Sequence, residues 1–407
     1  MRKKIHIALL LGMIFFLSAC SPESNSASSE KVNSPAAGNQ QEESEEVADD
    51  NRVVSFYGVG DNLIHSYVYE DALTEDGSYD FTPHYSNLQE EIQQADIAYI
   101  NQETLIGGDE LGFSGYPTFN TPEDMRQSLA DTGFNLVSGS NNHTMDRGGA
   151  AAQHSLDLWE EYEDEIIFTG IFESQEDRDN FPVFEKNGLT FSFLTYTYGT
   201  NGIPLDVPYR TNLIDEELIT SDVERAQEMS DFVIVAIHWG EENTYELNAD
   251  QTYYSQLLAD LGVDVVVGTH SHNLQPVEWV TGKDGNETLV TYSLGNFIAS
   301  PYMDMNSFGG AIQFDFVQEG DEHYIDNVVL QPIVIHYDNT TGTRANFKLY
   351  NLQDYPEEIA PLHGHGLDHS YFYTVVDQVI DDQFLSQPVL EGIEKHSTEP
   401  AAVDQAA

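Results

Sequence analysis

Two apolar runs that stop at histidine constrain this chain more than any other feature. The first is Phe232 to Ile237, followed by His238-Trp239-Gly240; the second is Val263 to Val267, followed by Gly268-Thr269-His270-Ser271-His272. Short β-branched runs of this kind suit strands buried on both faces, as in a parallel sheet. Between them, Asp250 to Gly262 has the apolar spacing of a helix and stops at glycine. Strand, helix, strand gives a right-handed crossover with both strand C-termini on one edge. That is the edge where open α/β sheets bind ligands. It receives His238 from one strand, and His270 and His272 from the other. Neutral imidazoles set on rigid strands are good ligands for Zn, Mn or Fe.

Three further runs end the same way. Val53 to Val59 leads into Gly60-Asp61, with His65 four residues on; Asp96 to Ile100 leads into Asn101-Gln102-Glu103; Phe134 to Val137 leads into Ser138 through Asn142-His143. If these strands are parallel neighbours, all five ends converge on one edge. Mixed oxygen and nitrogen donors there suit two divalent ions that share a bridging carboxylate. Such a pair lowers the pKa of a water and polarises a phosphoryl or acyl oxygen. Elsewhere, Pro83 to Ala95, Gly149 to Tyr162 and Asp215 to Met229 read as helices. A hairpin turns at Asn187-Gly188, and Val277 to Val280 pairs with Leu289 to Tyr292. A second histidine cluster, His363, His365 and His369, follows no strand pattern and reads as loop.

The ends of the chain have a different character. Arg2, Lys3 and Lys4 precede an apolar run from Ile5 to Leu17 and then Leu17-Ser18-Ala19-Cys20. This is an export signal too short to span a bilayer, and its last four residues resemble a bacterial lipoprotein signal. Residues 1–20 are therefore expected to be a signal peptide, with Cys20 carrying lipid. Cys20 is the only cysteine, so no disulfide is expected. Residues 21–51 read as a polar disordered spacer, 52–340 as the folded domain, and 341–407 as a partly helical extension with a loose tail. The expected location is the outer face of the cell membrane, with membrane contact through the lipid alone.

Charge narrows the partners. Fifteen Lys+Arg stand against 70 Asp+Glu, a net charge of −55, which excludes nucleic acid as a partner at low salt. Hydrophobic residues are still 40% of the chain, so it is globular, not a disordered acidic polymer. A halophilic or salt-tolerant setting accounts for such a surface, since at 1 M salt the Debye length is roughly 3 Å. There is no glycine-rich nucleotide loop and no Gly-x-Ser-x-Gly elbow.

The ordered set of stretches resembles the calcineurin-like metallophosphoesterase superfamily, and more closely its capsule-synthesis CapA (PgsA) branch. The carrying segments are Gly60-Asp61, Asn101-Gln102-Glu103, Gly133-Phe134-Asn135 through Asn142-His143 to Asp146, His238-Trp239-Gly240 with Glu242, Gly268 to His272 with Gln275, and Ser293-Leu294-Gly295-Asn296-Phe297. The resemblance implies a four-layer αββα sandwich, two mixed sheets flanked by helices. It implies two divalent ions (Mn, Fe or Zn): Asp61 and His272 on one, Asn142, His238 and His270 on the other, Glu103 between them. His143 and Asp61 would be the catalytic groups, His143 meeting the leaving group. His65 is added as a ligand on its position alone. Trp239, Glu242, Gln275, Asn296 and Arg147 are expected behind the ligands or against substrate, Glu241 and Glu242 orienting His238, and Asp146 and Arg147 capping the next helix. Two departures stand out. His65 follows Asp61 by four residues, where the superfamily has a histidine at two, and Glu103 replaces the usual bridging aspartate. The function implied is that of a lipid-anchored protein of capsule or poly-γ-glutamate synthesis, export or anchoring, working beside membrane subunits of the polymer synthase. Its core would be a metal-dependent hydrolase acting on a phosphoester or γ-glutamyl amide. A non-catalytic scaffold of the synthase and a secreted phosphodiesterase or nucleotidase are the alternatives.

Overall fold

The computed structural model describes residues 51–339 and 342–397. The signal segment, Cys20 and the spacer up to residue 50 lie outside the described residues. Four strands open the fold: β1 (Arg52–Asn62), β2 (Ile97–Asn101), β3 (Leu136–Ser138) and β4 (Ile167–Thr169). Six follow from the middle of the chain: β5 (Val183–Lys186), β6 (Leu189–Thr197), β7 (Phe232–His238), β8 (Val265–Thr269), β9 (Val277–Thr281) and β10 (Glu287–Thr291). The last are β11 (Asn296–Ile298), β12 (Phe308–Glu319), β13 (Glu322–Asp338) and β14 (Ala345–Asn351).

These strands make two mixed sheets. The first has the order β14-β13-β12-β1-β2-β3-β4, with β11 also paired to β1; the second has the order β5-β6-β7-β8-β10-β9. The first sheet therefore combines both ends of the described chain, and the second is built from its middle. Side chains alternate across each sheet, as a period of two requires. Val54 and Phe56 of β1 point into a core shared with Phe191, Phe193, Ile234 and Val265 of the second sheet. Tyr57 and Val59 point the other way, against Met125, Leu129 and Trp159 of the helices Asp124–Thr132 and Gly149–Trp159. On the far side of the second sheet, Val235, Ile237 and Val266 meet Ile219, Val223 and Leu258 of the helices Glu216–Gln227 and Ala249–Asp260. Three apolar interfaces separate four layers, helix, sheet, sheet and helix. At about 1.5–3 kcal/mol for each large side chain fully buried, they are the main source of stability.

Helix ends follow local chemistry. Asp215 accepts from Leu218 N at 2.9 Å, and Asn248 with Gln251 forms a reciprocal capping box. The hairpin at Asn187-Gly188 forms as expected, both residues having positive φ. Three expectations need correction. The five histidine- and carboxylate-bearing strands are not neighbours in one sheet: β1, β2 and β3 belong to the first and β7 and β8 to the second. A continuous apolar run shows that a strand is buried, not which sheet it joins. Pro83 to Ala95 is broken into Thr82–Tyr85 and Gln89–Gln94. Residues beyond 340 are also integral, since β14 pairs with β13, and Phe372, Val376 and Val389 join the inter-sheet core. Among the described residues no helix is long and apolar enough to cross a membrane.

Candidate metal centre

Parallel pairing sets the first half of the site. β1 and β2 align Asp61 with Asn101, and β2 and β3 align Asn101 with Ser138. The chain leaves all three strands at one level, carrying Asp61, Glu103 and Asn142-His143 just past their ends. β7 and β8 pair His238 with Thr269, so His238, His270 and His272 reach the same place from the second sheet. Gly60 permits the close approach, because a Cβ there would lie 1.9 Å from Gly295 O. His270 and His272 have φ of +101° and +58°, a left-handed backbone that costs a non-glycine residue energy. Ser271 between them instead bonds the backbone of Asn273, donating from Oγ to its carbonyl at 2.8 Å.

Glu103 is the centre. It is fully buried, and neither carboxylate oxygen has a hydrogen-bond partner. Three imidazole Nε2 atoms surround Oε1: His272 at 3.7 Å, His238 at 3.8 Å and His143 at 3.9 Å. These separations are too long for hydrogen bonds. Burial pushes the Glu103 carboxyl well above its ordinary range, and Asp61 pushes it further. Burial, then neighbouring imidazoles, lowers His238 and His270. At His272 burial opposes protonation, but Glu103 and then Asp61 outweigh it and raise the ring to about 10. Burial thus keeps His238 and His270 neutral, as metal ligands must be.

Donor atoms fall into two groups that share one carboxylate. Glu103, His238 and His270 each offer an atom within 4.8 Å of the others, and so do Asp61, Glu103 and His272. His270 Nδ1 is buried without a partner, which matches an imidazole placed for a cation and not for packing. The residues present thus fit divalent metal binding, with Glu103 common to both donor groups.

The remaining contacts orient these donors. Asn101 Nδ2 donates to Asp61 Oδ1 at 2.8 Å, and His272 Nδ1 lies 3.2 Å from Asp61 Oδ2 and 3.1 Å from Asn296 Oδ1. His238 Nδ1 is 2.8 Å from Thr269 Oγ1, and its Nε2 is 3.1 Å from Asn142 Oδ1. Thr269, with Asn101 Nδ2 at 3.4 Å from the same Nδ1, therefore sets the ring of His238. Asp146 Oδ2 takes His143 Nδ1 at 2.8 Å and Phe119 N at 2.7 Å. The expected helix cap is absent: Asp146 is committed to His143, and Arg147 ties Ser114 Oγ and Leu111 O. Trp239 is buried with Nε1 on Tyr292 O at 2.9 Å, and Gln275 bridges Gln251 to the carbonyls of Thr244 and Glu246. Both brace the loops without touching the donors.

His65 stands apart from both donor groups. Its Nδ1 lies 3.2 Å from Leu63 O and 3.3 Å from Ser300 N, its ring packs edge-on to Phe119, and burial lowers it to about 3. It lines a cavity of about 360 Å³ beside the centre, with His143, Glu242, His272 and Asn296. Two residues here escaped notice in the sequence. Tyr198 lies with its ring 4.4 Å from that of His270, and Asn201 contacts Asn142 Nδ2 at 3.4 Å. Both come from the loop after β6, which carries no histidine to mark it. The C-terminal histidines lie among packing contacts, with His363 Nε2 on Ile335 O, His365 Nε2 on Pro301 O and His369 Nε2 on Tyr355 O, at 3.1, 3.1 and 2.8 Å.

Four layers, with a carboxylate-centred imidazole cluster at the strand ends, define an αββα sandwich that carries a candidate metal centre. Within that class, the chain belongs to the bacterial capsule synthesis protein family PGA_cap, whose profile matches residues 55–301. It is 26% identical over 219 residues to the PGA biosynthesis protein CapA of Bacillus subtilis (strain 168), covering 53% of this chain and 55% of that protein. It is 25% identical over 182 residues to the capsule biosynthesis protein CapA of Bacillus anthracis, covering 43% of each. The match spans about half the length of these curated relatives. A phosphatase structure from Mycoplasma pneumoniae aligns over 69% of this chain and 94% of its own, at 13% identity and a TM-score of 0.44.

Proposed function

We propose that this protein is a lipid-anchored, surface-facing hydrolase or transferase of capsule polymer synthesis or anchoring, with poly-γ-glutamate as the polymer. The observation that carries the catalytic part is Glu103, a fully buried carboxylate with two unpartnered oxygens inside a ring of imidazoles. A carboxylate left that way costs several kcal/mol unless a cation completes it. Divalent ions held by Asp61, Glu103, Asn142, His238, His270 and His272 would supply an activated water and a polarised phosphoryl or acyl oxygen.

The chain's own residues supply the rest. Asp146 holds the Nδ1 side of His143, which leaves Nε2 facing the centre to exchange a proton with a leaving oxygen or nitrogen. Asn101 and Asn296 fix Asp61 and His272, while Thr269 fixes His238. His65, buried and neutral, lines the cavity beside His143. Family membership supports the capsule pathway, and the basic-apolar-cysteine start of the sequence supports attachment at Cys20.

The test is to purify the full chain, count bound metals, and assay phosphodiester and γ-glutamyl substrates with and without chelator. Metal-dependent turnover that vanishes in His270→Ala is expected. A well-folded, metal-free and inert protein would identify a scaffold of the synthase instead, and preference for nucleotides would point to a nucleotidase.

A further inference from the structure

The cavity beside the centre has a chemistry that the polymer alone does not explain. Its volume is about 360 Å³, and no lysine or arginine lines it. Its one carboxylate is Glu242, and its polar surface otherwise consists of imidazoles, amides and hydroxyls, including Asn243, Asn296 and Asn306. Two tyrosines stand exposed on it, Tyr116 at 69% and Tyr302 at 68%. A run of γ-glutamyl carboxylates entering here would meet the carboxylate of Glu242, on a protein of net charge −55.

The wall that bears Tyr302 is held in place from behind. Arg344 Nη1 donates to Ser300 Oγ at 2.8 Å and also to Pro301 O, and its guanidinium lies 5.6 Å from the Tyr302 ring centre. His365 engages Pro301 O through Nε2 at 3.1 Å and Asp304 Oδ1 through Nδ1 at 2.8 Å. Both clamps come from beyond residue 301, where the family match ends. An exposed aromatic ring on a pinned wall, opposite amides and one carboxylate, is a surface for a flat, hydroxyl-bearing group. The ring stacks against C–H faces, and the amides and carboxylate meet hydroxyls.

We propose that this cavity binds a neutral glycosyl group, the sugar half of a substrate or acceptor whose reacting bond lies at Glu103. This rests on the catalytic reading above but concerns a different surface, and it can be tested separately. Saturation-transfer NMR on the full chain would use three probes: a neutral N-acetylated disaccharide, a short γ-glutamyl oligomer and adenosine, each with and without chelator. The disaccharide is expected to bind in both conditions, weakened about 3- to 10-fold by Tyr302→Ala and by Tyr116→Ala. Disaccharide binding that survives in a metal-free, inert protein would sink the hydrolase and keep this inference. Binding of the oligomer or adenosine alone, binding insensitive to both tyrosine variants, or no binding of any probe would overturn it.

Discussion

The molecule holds two groups of histidines, and they are built on opposite terms. At the strand ends, His238, His270 and His272 surround a carboxylate with nothing bonded to it, and His270 Nδ1 is itself unpartnered. In the C-terminal region, each of His363, His365 and His369 faces a main-chain carbonyl. The first group leaves donor capacity unused in a buried place; the second uses its own to fasten irregular backbone to the fold. Close spacing in the sequence is common to both. Unmet hydrogen-bonding capacity, not histidine density, distinguishes a candidate cation site from a staple.

The contrast can be broken in four ways. The largest effect should come from Glu103→Ala or His270→Ala, which are expected to lower metal-dependent turnover on the order of 10³-fold, while His365→Ala keeps it within about 10-fold. Equal losses at His270 and His365 in steady-state kinetics would erase the distinction. Next, Thr269→Val frees the ring of His238 and should weaken cation affinity by about 10- to 100-fold in a calorimetric titration, with the fold unchanged by circular dichroism.

The third effect concerns stability. His363→Ala leaves the carbonyl of Ile335 buried without its partner and should cost about 1–3 kcal/mol in urea unfolding; a variant as stable as the parent would show that the staple holds nothing. The last effect is the acid limb. Burial and neighbouring imidazoles lower His363 to about 3 from an ordinary value of 6.5, so the ring stays neutral when folded and takes up a proton when unfolded. Its stability contribution is complete above pH 6.5 and is lost as pH falls toward 3, at up to about 1.4 kcal/mol per pH unit. His363→Gln should flatten that part of the profile while leaving the pH dependence of cation binding as it was.

Much of the site was legible because strand ends are. A β-branched run that stops at Asp, Glu, Asn or His marks where a buried strand emerges, and Asp61, Glu103, Asn142, His238, His270 and His272 were all found that way. The partition into two sheets was not legible from alternation, since Val54 and Ile234 look alike yet sit on facing sheets; only the family resemblance anticipated it. Thr269 lay inside a recognised stretch, but a hydroxyl gives no sign of which ring it will hold. Tyr198 and Asn201 sit in a turn whose position depends on β6 being parallel to β7, a tertiary fact. Asp146 reads in sequence as a helix cap but holds His143 in the fold, because a carboxylate three residues after a histidine serves either purpose.

The positive φ of His270 and His272 carries a consequence for how a cation would arrive. The loop is held by its own contacts, Ser271 Oγ donating to Asn273 O and Asn306 Nδ2 to His272 O, so its bend is expected to persist as a cation comes and goes. Limited proteolysis should then give the same fragments from Gly268 to Asn273 whether or not the ion is supplied. A cut that appears only on chelation would mean that the ion itself bends the chain.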